Sequence, residues 1–331
     1  MKKILTLVLA LVMLLSLAAC GSKAETPAAG SEAAAPSGDT YTIGICQLVQ
    51  HEALDAATQG FKDVLEETFG EGNVIFDEQN AAGDPATCAT ICDGFVTEGV
   101  DLIMANATPA LQAAANSTDS IPVLGTSITE YGVALQIDNF NGVVGTNVSG
   151  TSDLAPLDEQ AKMVSEICPD AKTVGILYCS AEANSIYQAN VVQAELEKAG
   201  LTVKVFTFAD SNDVASVTQS ACDECDALYI PTDNTAASCA EAINNVAQPA
   251  GVPIIAGEEG LCKGCGVATL SISYYELGRA TGEMAVQILT GEKLVSEMEI
   301  GYDTKPVKKY NAALCEALNI TVPDGYTAIE G

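Results

Sequence analysis

The sequence repeats itself at one fixed spacing. Thr42-Ile43-Gly44-Ile45 returns 131 residues later as Thr173-Val174-Gly175-Ile176, and Ile121-Pro122-Val123-Leu124 returns at the same offset as Val252-Pro253-Ile254-Ile255. Between these anchors Asp101-Leu102-Ile103 corresponds to Asp226-Ala227-Leu228. One apolar run can recur by composition, but two runs with one offset point to two halves of like topology. Within the first half, "YTIGICQLV" (41–49) reads as a buried strand. Leu54, Ala57, Phe61 and Leu65 then follow at helical spacing, the stripe of an amphipathic helix. "NVIFDEQ", "DLIMA" and "IPVLGT" are further strands, with helices over 84–98 and 108–118 between them. Strands separated by such helices form right-handed βαβ units on a parallel sheet. The expected fold class is α/β, with two doubly wound parallel-sheet lobes, and 331 residues suit two such bodies.

After the second half the chain has to return. "VATLSIS" (267–273) is a strand, and the following helix carries Leu277, Thr281, Met284 and Ile288 on one face, suited to packing on the first lobe. Crossings are expected over 143–153, over 270–274 and near Gly301. The first lobe is then 40–150 plus 272–300, the second 151–271 plus 301–331, joined by a multi-strand hinge.

The amino terminus carries an export signal. Lys2 and Lys3 precede an apolar run from Ile4 to Ala19, too short to span a bilayer comfortably but suited to a signal h-region. It ends in Leu17-Ala18-Ala19-Cys20, which resembles the lipobox of bacterial lipoproteins. Residues 1–19 are expected to be removed and Cys20 lipidated, with diacylglycerol on sulfur and an N-acyl chain such as palmitate. Residues 20–39, rich in Ala, Gly, Ser and Pro, read as a flexible tether. The folded part is thus expected on the extracytoplasmic face of the cell membrane, held there by its lipid.

Charge and composition narrow the function. Lys and Arg total 14 against 44 Asp and Glu, a formal charge of -30 that opposes binding to nucleic acid. A single histidine, His51, excludes HExxH proteases and sites with two His ligands. No G-x-G-x-x-G, Walker A or G-x-S-x-G motif occurs, so neither a phosphate cradle nor an elbow nucleophile is present.

In open α/β sheets ligands sit beyond the carboxyl ends of the strands. Those positions supply the candidate contacts Gln47, His51, Asn80, Ala107, Thr108, Ser127, Thr151 and Asp153 from the first half. The second half supplies Asn184, Ser185, Asp233, Asn234 and Glu258. Helix capping explains any one of them; together they would face one interlobe cleft. Helix starts at Ala107-Thr108-Pro109 and Asn184-Ser185 suit a carboxylate. Asp233 is the first choice of partner for a ligand ammonium and Asp153 the second. Leu48, Tyr131, Phe140, Tyr178 and Tyr187 are candidate apolar walls, whereas Tyr274 and Tyr275 read as the start of a packed helix.

"QLVQHEALDAATQGF" (47–61), "NATPALQAAAN" (106–116), "GTSDLAPLDEQ" (150–160), "EANS" (182–185), "PTDNTAAS" (231–238) and "YYELGR" (274–279) together resemble the tryptophan/tyrosine-type substrate-binding proteins of ABC importers. The resemblance runs through nearly all of 40–320. It implies a type I periplasmic-binding-protein fold and a receptor that passes an amino acid, typically aromatic, to a separate permease and ATPase. It implies no catalysis and no cofactor, and the receptor is expected to act as a monomer. Branched-chain amino acids and nucleosides are alternative ligands; a lipid-anchored α/β enzyme or an adhesin are alternative functions.

Twelve cysteines are many for an exported chain, and lipidation of Cys20 leaves eleven. Cys222-x-x-Cys225 and Cys262-x-x-Cys265 have the spacing of a four-thiolate zinc site; local disulfides and free thiols are the competing readings.

Overall fold

The computed structural model describes residues 40–302 and 305–330. The expected signal peptide, Cys20 and the expected tether lie outside them. In chain order the first half forms β1 (Tyr41–Gln47), α1 (Glu52–Phe69), β2 (Val74–Asn80), α2 (Pro85–Glu98), β3 (Leu102–Asn106), α3 (Thr108–Ser117), β4 (Val123–Ile128), the short α4 (Tyr131–Leu135) and β5 (Val148–Ser152). The second half forms α5 (Leu157–Ile167), β6 (Thr173–Cys179), α6 (Ala183–Lys198), β7 (Thr202–Phe208), α7 (Val214–Glu224), β8 (Ala227–Ile230), α8 (Asn234–Ser238), α9 (Ala240–Ala250), β9 (Ile254–Ala256), α10 (Glu259–Cys265) and β10 (Ala268–Ser271). Then come α11 (Tyr274–Leu289), β11 (Gly301–Tyr302), β12 (Val307–Tyr310), α12 (Ala312–Ala317) and β13 (Thr327–Ala328).

Two sheets result. Their orders are β11-β5-β4-β3-β1-β2 and β13-β12-β10-β9-β8-β6-β7, parallel except where β12 joins β10. Each contains the same doubly wound core, and the repeated residues make the same bonds in both. Asp101 Oδ2 accepts from the Thr42 amide at 2.7 Å, and Asp226 Oδ2 from the Thr173 amide at 2.9 Å. Ile103 N donates to Pro122 O and Leu228 N to Pro253 O, each at 2.9 Å. The sequence echo is therefore a structural echo: the carboxylate pins the start of the first strand, and the Pro carbonyl sets the register of the fourth.

Sheet pairing shifts the expected lobe boundaries. Position 150 falls inside β5, which stays in the first sheet through Ser152, and Gly301-Tyr302 pairs with Thr151-Ser152 of that sheet rather than joining the second. The chain changes sheet after β5, after β10 and between β11 and β12. Helix α11 packs back on α1 at very close range. A Cβ placed on Gly278 would stand 1.9 Å from Ala57 O, and one on Gly60 would stand 2.1 Å from Tyr275 O. Two missing side chains thus let the backbones touch, which ties the returning helix to the first lobe.

The eleven cysteines from Cys46 to Cys315 are free thiols. Cys222 and Cys225 lie at the end of α7 and Cys262 and Cys265 on α10. Among the described residues no three His, Cys, Asp or Glu side chains converge to hold a metal, so the four-thiolate zinc alternative is set aside. Burial raises the thiols of Cys222 to about 11 and Cys168 to about 12, as expected of small apolar packing groups.

Candidate functional site

The carboxyl ends of the two sheets face each other, and a small enclosed cavity lies between them. Its walls come from His51, Leu54, Ser127, Thr129 and Asp153 on one side and Asn184, Thr232, Asp233, Asn234, Ala237 and Glu258 on the other, with Tyr274 at the hinge. Only about 10 Å³ is free, room for at most one water. The lobes are shut on their own side chains. His51 Nε2 lies 3.3 Å from Asn234 Oδ1, Gln188 Nε2 donates to Thr129 Oγ1 at 3.4 Å, and Tyr274 OH donates to Asp153 Oδ2 at 2.9 Å.

Four buried polar atoms on this wall have no hydrogen-bond partner: His51 Nδ1, Ser127 Oγ, Asp153 Oδ1 and Asn184 Oδ1. Buried polar groups are nearly always satisfied, so four around one cavity mark a place built for a guest. Their chemistry can be read from what their other atoms do. Asn184 Nδ2 donates to Glu182 and to Thr232 O, which leaves Oδ1 as an acceptor. Desolvation lowers the pKa of His51 below its usual 6.5, so the ring is neutral and, with Nε2–H directed at Asn234, Nδ1 keeps its lone pair. The set is therefore three acceptors and one hydroxyl, with no Lys or Arg among the lining residues.

The three acids of the wall differ in what holds them. Both Asp233 oxygens are occupied by backbone, Oδ2 by Cys179 N and Oδ1 by Ala236 N, each at 2.7 Å. Glu258 caps α10 through Gly260 N at 2.6 Å and through Leu261 N. Asp153 alone keeps an oxygen, Oδ1, unbonded in the cavity. Burial raises all three, Asp153 to about 6, Glu258 to about 7 and Asp233, which also feels Glu182, to about 8. Geometry thus reverses the expected order of the two aspartates: Asp233 is a helix cap, and Asp153 is the acid with a free oxygen.

Seven of the residues singled out from sequence line the cavity: His51, Ser127, Asp153, Asn184, Asp233, Asn234 and Glu258. The other six do not. Gln47 is occupied by Asp55, Thr58 and Val49 O, where it anchors the start of α1. Asn80 closes an exposed turn onto Ala82 N. Ala107 and Thr108 are buried at the start of α3. Thr151 bonds Thr281 at 2.7 Å and faces a separate cavity at the hinge. Ser185 sits behind the wall, beside Asn184 and Asp233.

Sequence reasoning passed over Leu54, Thr129, Thr232, Ala237 and Tyr274. Thr129 and Thr232 lie in strand-end loops; Tyr274 starts α11 as expected but also turns its hydroxyl into the cleft. Of the candidate apolar walls, Leu48 borders a neighbouring space of about 410 Å³, whereas Tyr131, Phe140, Tyr178 and Tyr187 border neither that space nor the cavity. Ser127 carries a φ of 57° where the β4–β5 register shifts, a backbone state uncommon for a side-chain-bearing residue and often found at functional positions.

Comparison with known proteins agrees with this architecture. Residues 42–327 match the family described as ABC transporter substrate binding protein. A tyrosine-binding protein of Clostridioides difficile is 35% identical over 299 residues, 88% of this chain and 86% of that one. The crystal structure of an ABC domain in complex with L-Trp from Streptococcus pneumoniae superposes with a TM-score of 0.83 at 32% identity, over 88% of this chain and all of that one. A ligand-free, open substrate-binding protein with adhesive properties from Clostridium difficile gives only 0.66 at 36% identity, over 88% of this chain and 99% of that one. The more similar sequence, that of a structure described as open, superposes less well than the L-Trp complex. More distant neighbours include a sugar-bound solute-binding protein from Clostridium phytofermentas, 15% identical with a TM-score of 0.57 over 86% of this chain and 99% of that one, which shares the fold. The fold is that of the type I periplasmic binding proteins, and the chain belongs to the ABC transporter substrate-binding protein family.

Proposed function

We propose that this protein is the extracytoplasmic receptor of an ABC importer, and that it captures an aromatic amino acid between its lobes and delivers it unaltered to a permease. The observation that carries the reading is the set of unpartnered atoms in the cleft. An ammonium has three N–H donors, and Asp153 Oδ1, Asn184 Oδ1 and His51 Nδ1 are three acceptors in a wall rich in carboxyl groups. The unpartnered Ser127 hydroxyl supplies a donor for the ligand carboxylate. Because these groups come from both lobes, a ligand that binds them favours lobes closed around it over lobes apart, and shifts the population that way. Entry requires the lobes to part and the His51–Asn234 contact to give way.

A tyrosine-binding relative and an L-Trp-bound relative support the ligand class. The lipobox at Cys20 supports attachment to the outer face of the membrane. Calorimetry of the soluble part against tyrosine, tryptophan, phenylalanine, leucine and adenosine tests the proposal. An aromatic amino acid should bind most tightly, and Asp153→Asn should weaken it at least tenfold. Preference for leucine or adenosine, or an unchanged affinity in the variant, would overturn the reading.

A further inference from the structure

Tyr131 lines no part of the cavity, yet its buried hydroxyl ends between the two strands that lead to the first-lobe wall. Its single proton is shared between Gly125 O of β4 at 3.0 Å and Thr151 O of β5 at 3.1 Å. Two missing side chains make room for it, since a Cβ on Gly125 or on Gly150 would stand 2.5 Å from the Tyr131 oxygen. The tyrosine and both glycines form one fitting.

Just beyond this bridge the ladder slips. Gly125 pairs with Gly150 and Ile128 with Ser152, so Thr126 and Ser127 together face Thr151 alone, the two-against-one count of a β-bulge. Downstream the chain is rejoined by Asp153 N, which donates to Ile128 O at 3.1 Å, and by Ser152 Oγ, which donates to Thr129 O at 2.9 Å. Ser127 takes its φ of 57° inside this bulge, and its hydroxyl is the donor among the four unpartnered atoms of the cavity. A side-chain-bearing residue keeps that backbone state only where the chain is fixed on both sides of it. On the upstream side the Tyr131 bridge supplies the fixing.

Resting on the amino-acid reading above, we propose that Tyr131 is a positioning residue. It touches no ligand; by tying β4 to β5 it sets the bulge that aims the Ser127 hydroxyl at the ligand carboxylate. The ammonium end has separate support, because Tyr274 OH holds the Asp153 carboxylate at 2.9 Å. Loss of the bridge therefore falls on the carboxylate end.

The test is calorimetry of the soluble chain with tyrosine and tryptophan, and with tyramine and tryptamine, which keep ring and ammonium but lack the carboxylate. The proteins are the parent, Tyr131→Phe, Ser127→Ala and the double variant; Tyr131→Phe keeps the buried ring and removes only its oxygen. Expected are at least fivefold weaker amino-acid binding in each single variant, less than twofold change for the amines, and a double variant within twofold of Ser127→Ala. Where an amine binds the parent too weakly to measure, the double variant decides. Unchanged amino-acid affinity in either single variant, equal losses for amino acid and amine, or losses that multiply in the double variant overturn the positioning role. So does a Tyr131→Phe protein that fails to fold by circular dichroism, since the bridge then holds the lobe rather than aims one side chain. In each of these cases parent binding that depends on Asp153 leaves the receptor reading standing, whereas a parent that binds neither amino acid overturns both.

Discussion

Acidification should loosen the ligand, because protons and the ligand ammonium compete for the same oxygens. Burial raises Asp153 to about 6, while an ammonium at Oδ1 favours the charged form and pulls it down in the complex. The complex therefore binds fewer protons than the free protein, and affinity must fall as pH drops below the free value. For a carboxyl near 6, about one molecule in ten is ionised at pH 5, so Kd should weaken about tenfold, or roughly 1.4 kcal/mol, relative to pH 8. The other titratable groups facing Asp153 are Asp233, Glu258, His51 and Tyr274 across the cavity and Tyr131 beside it. Asp233 and Glu258 are held by backbone amides, and protonation of His51 would add repulsion toward the ammonium, which steepens the loss in the same direction. The chain has no Trp, so tryptophan added as ligand is its own fluorescence reporter. Titrations at pH 5, 6, 7 and 8 should show the loss, and Asp153→Asn should flatten most of it. Constant affinity across that range, or an identical slope in the variant, would refute the argument.

Three further expectations follow from the same contacts. Without ligand the protein should be most stable in mild acid, since carboxyls raised to about 6, 7 and 8 in the folded state bind protons that the unfolded chain has released by then; the Tm should fall by roughly 10 °C between pH 5 and pH 8, and ligand should reduce the fall. Gly278→Ala drives a methyl into Ala57 O and should cost about 3 kcal/mol in urea unfolding, with α11 pushed off α1. Cys20→Ser should move the protein from membrane to soluble fractions, and continued sedimentation with membranes would exclude the lipid anchor.

What the sequence determined by itself was the plan of the molecule. The 131-residue echo, the alternation of strand and helix periods and the returning helix each arise from local patterns, and local patterns are written in adjacent residues. Strand-end loops were legible for the same reason, and they supplied seven of the cavity-lining residues. Tertiary structure decided how the polar groups were spent. Asp233 looked available until Cys179, 54 residues away, was found donating to it. Thr151 turned to Thr281 across 130 residues, and Tyr274 reached Asp153 across 121. A side chain's freedom depends on which distant backbone and hydroxyl groups fold against it. Only the packed lobes reveal that Asp153 is the acid left with an oxygen to offer.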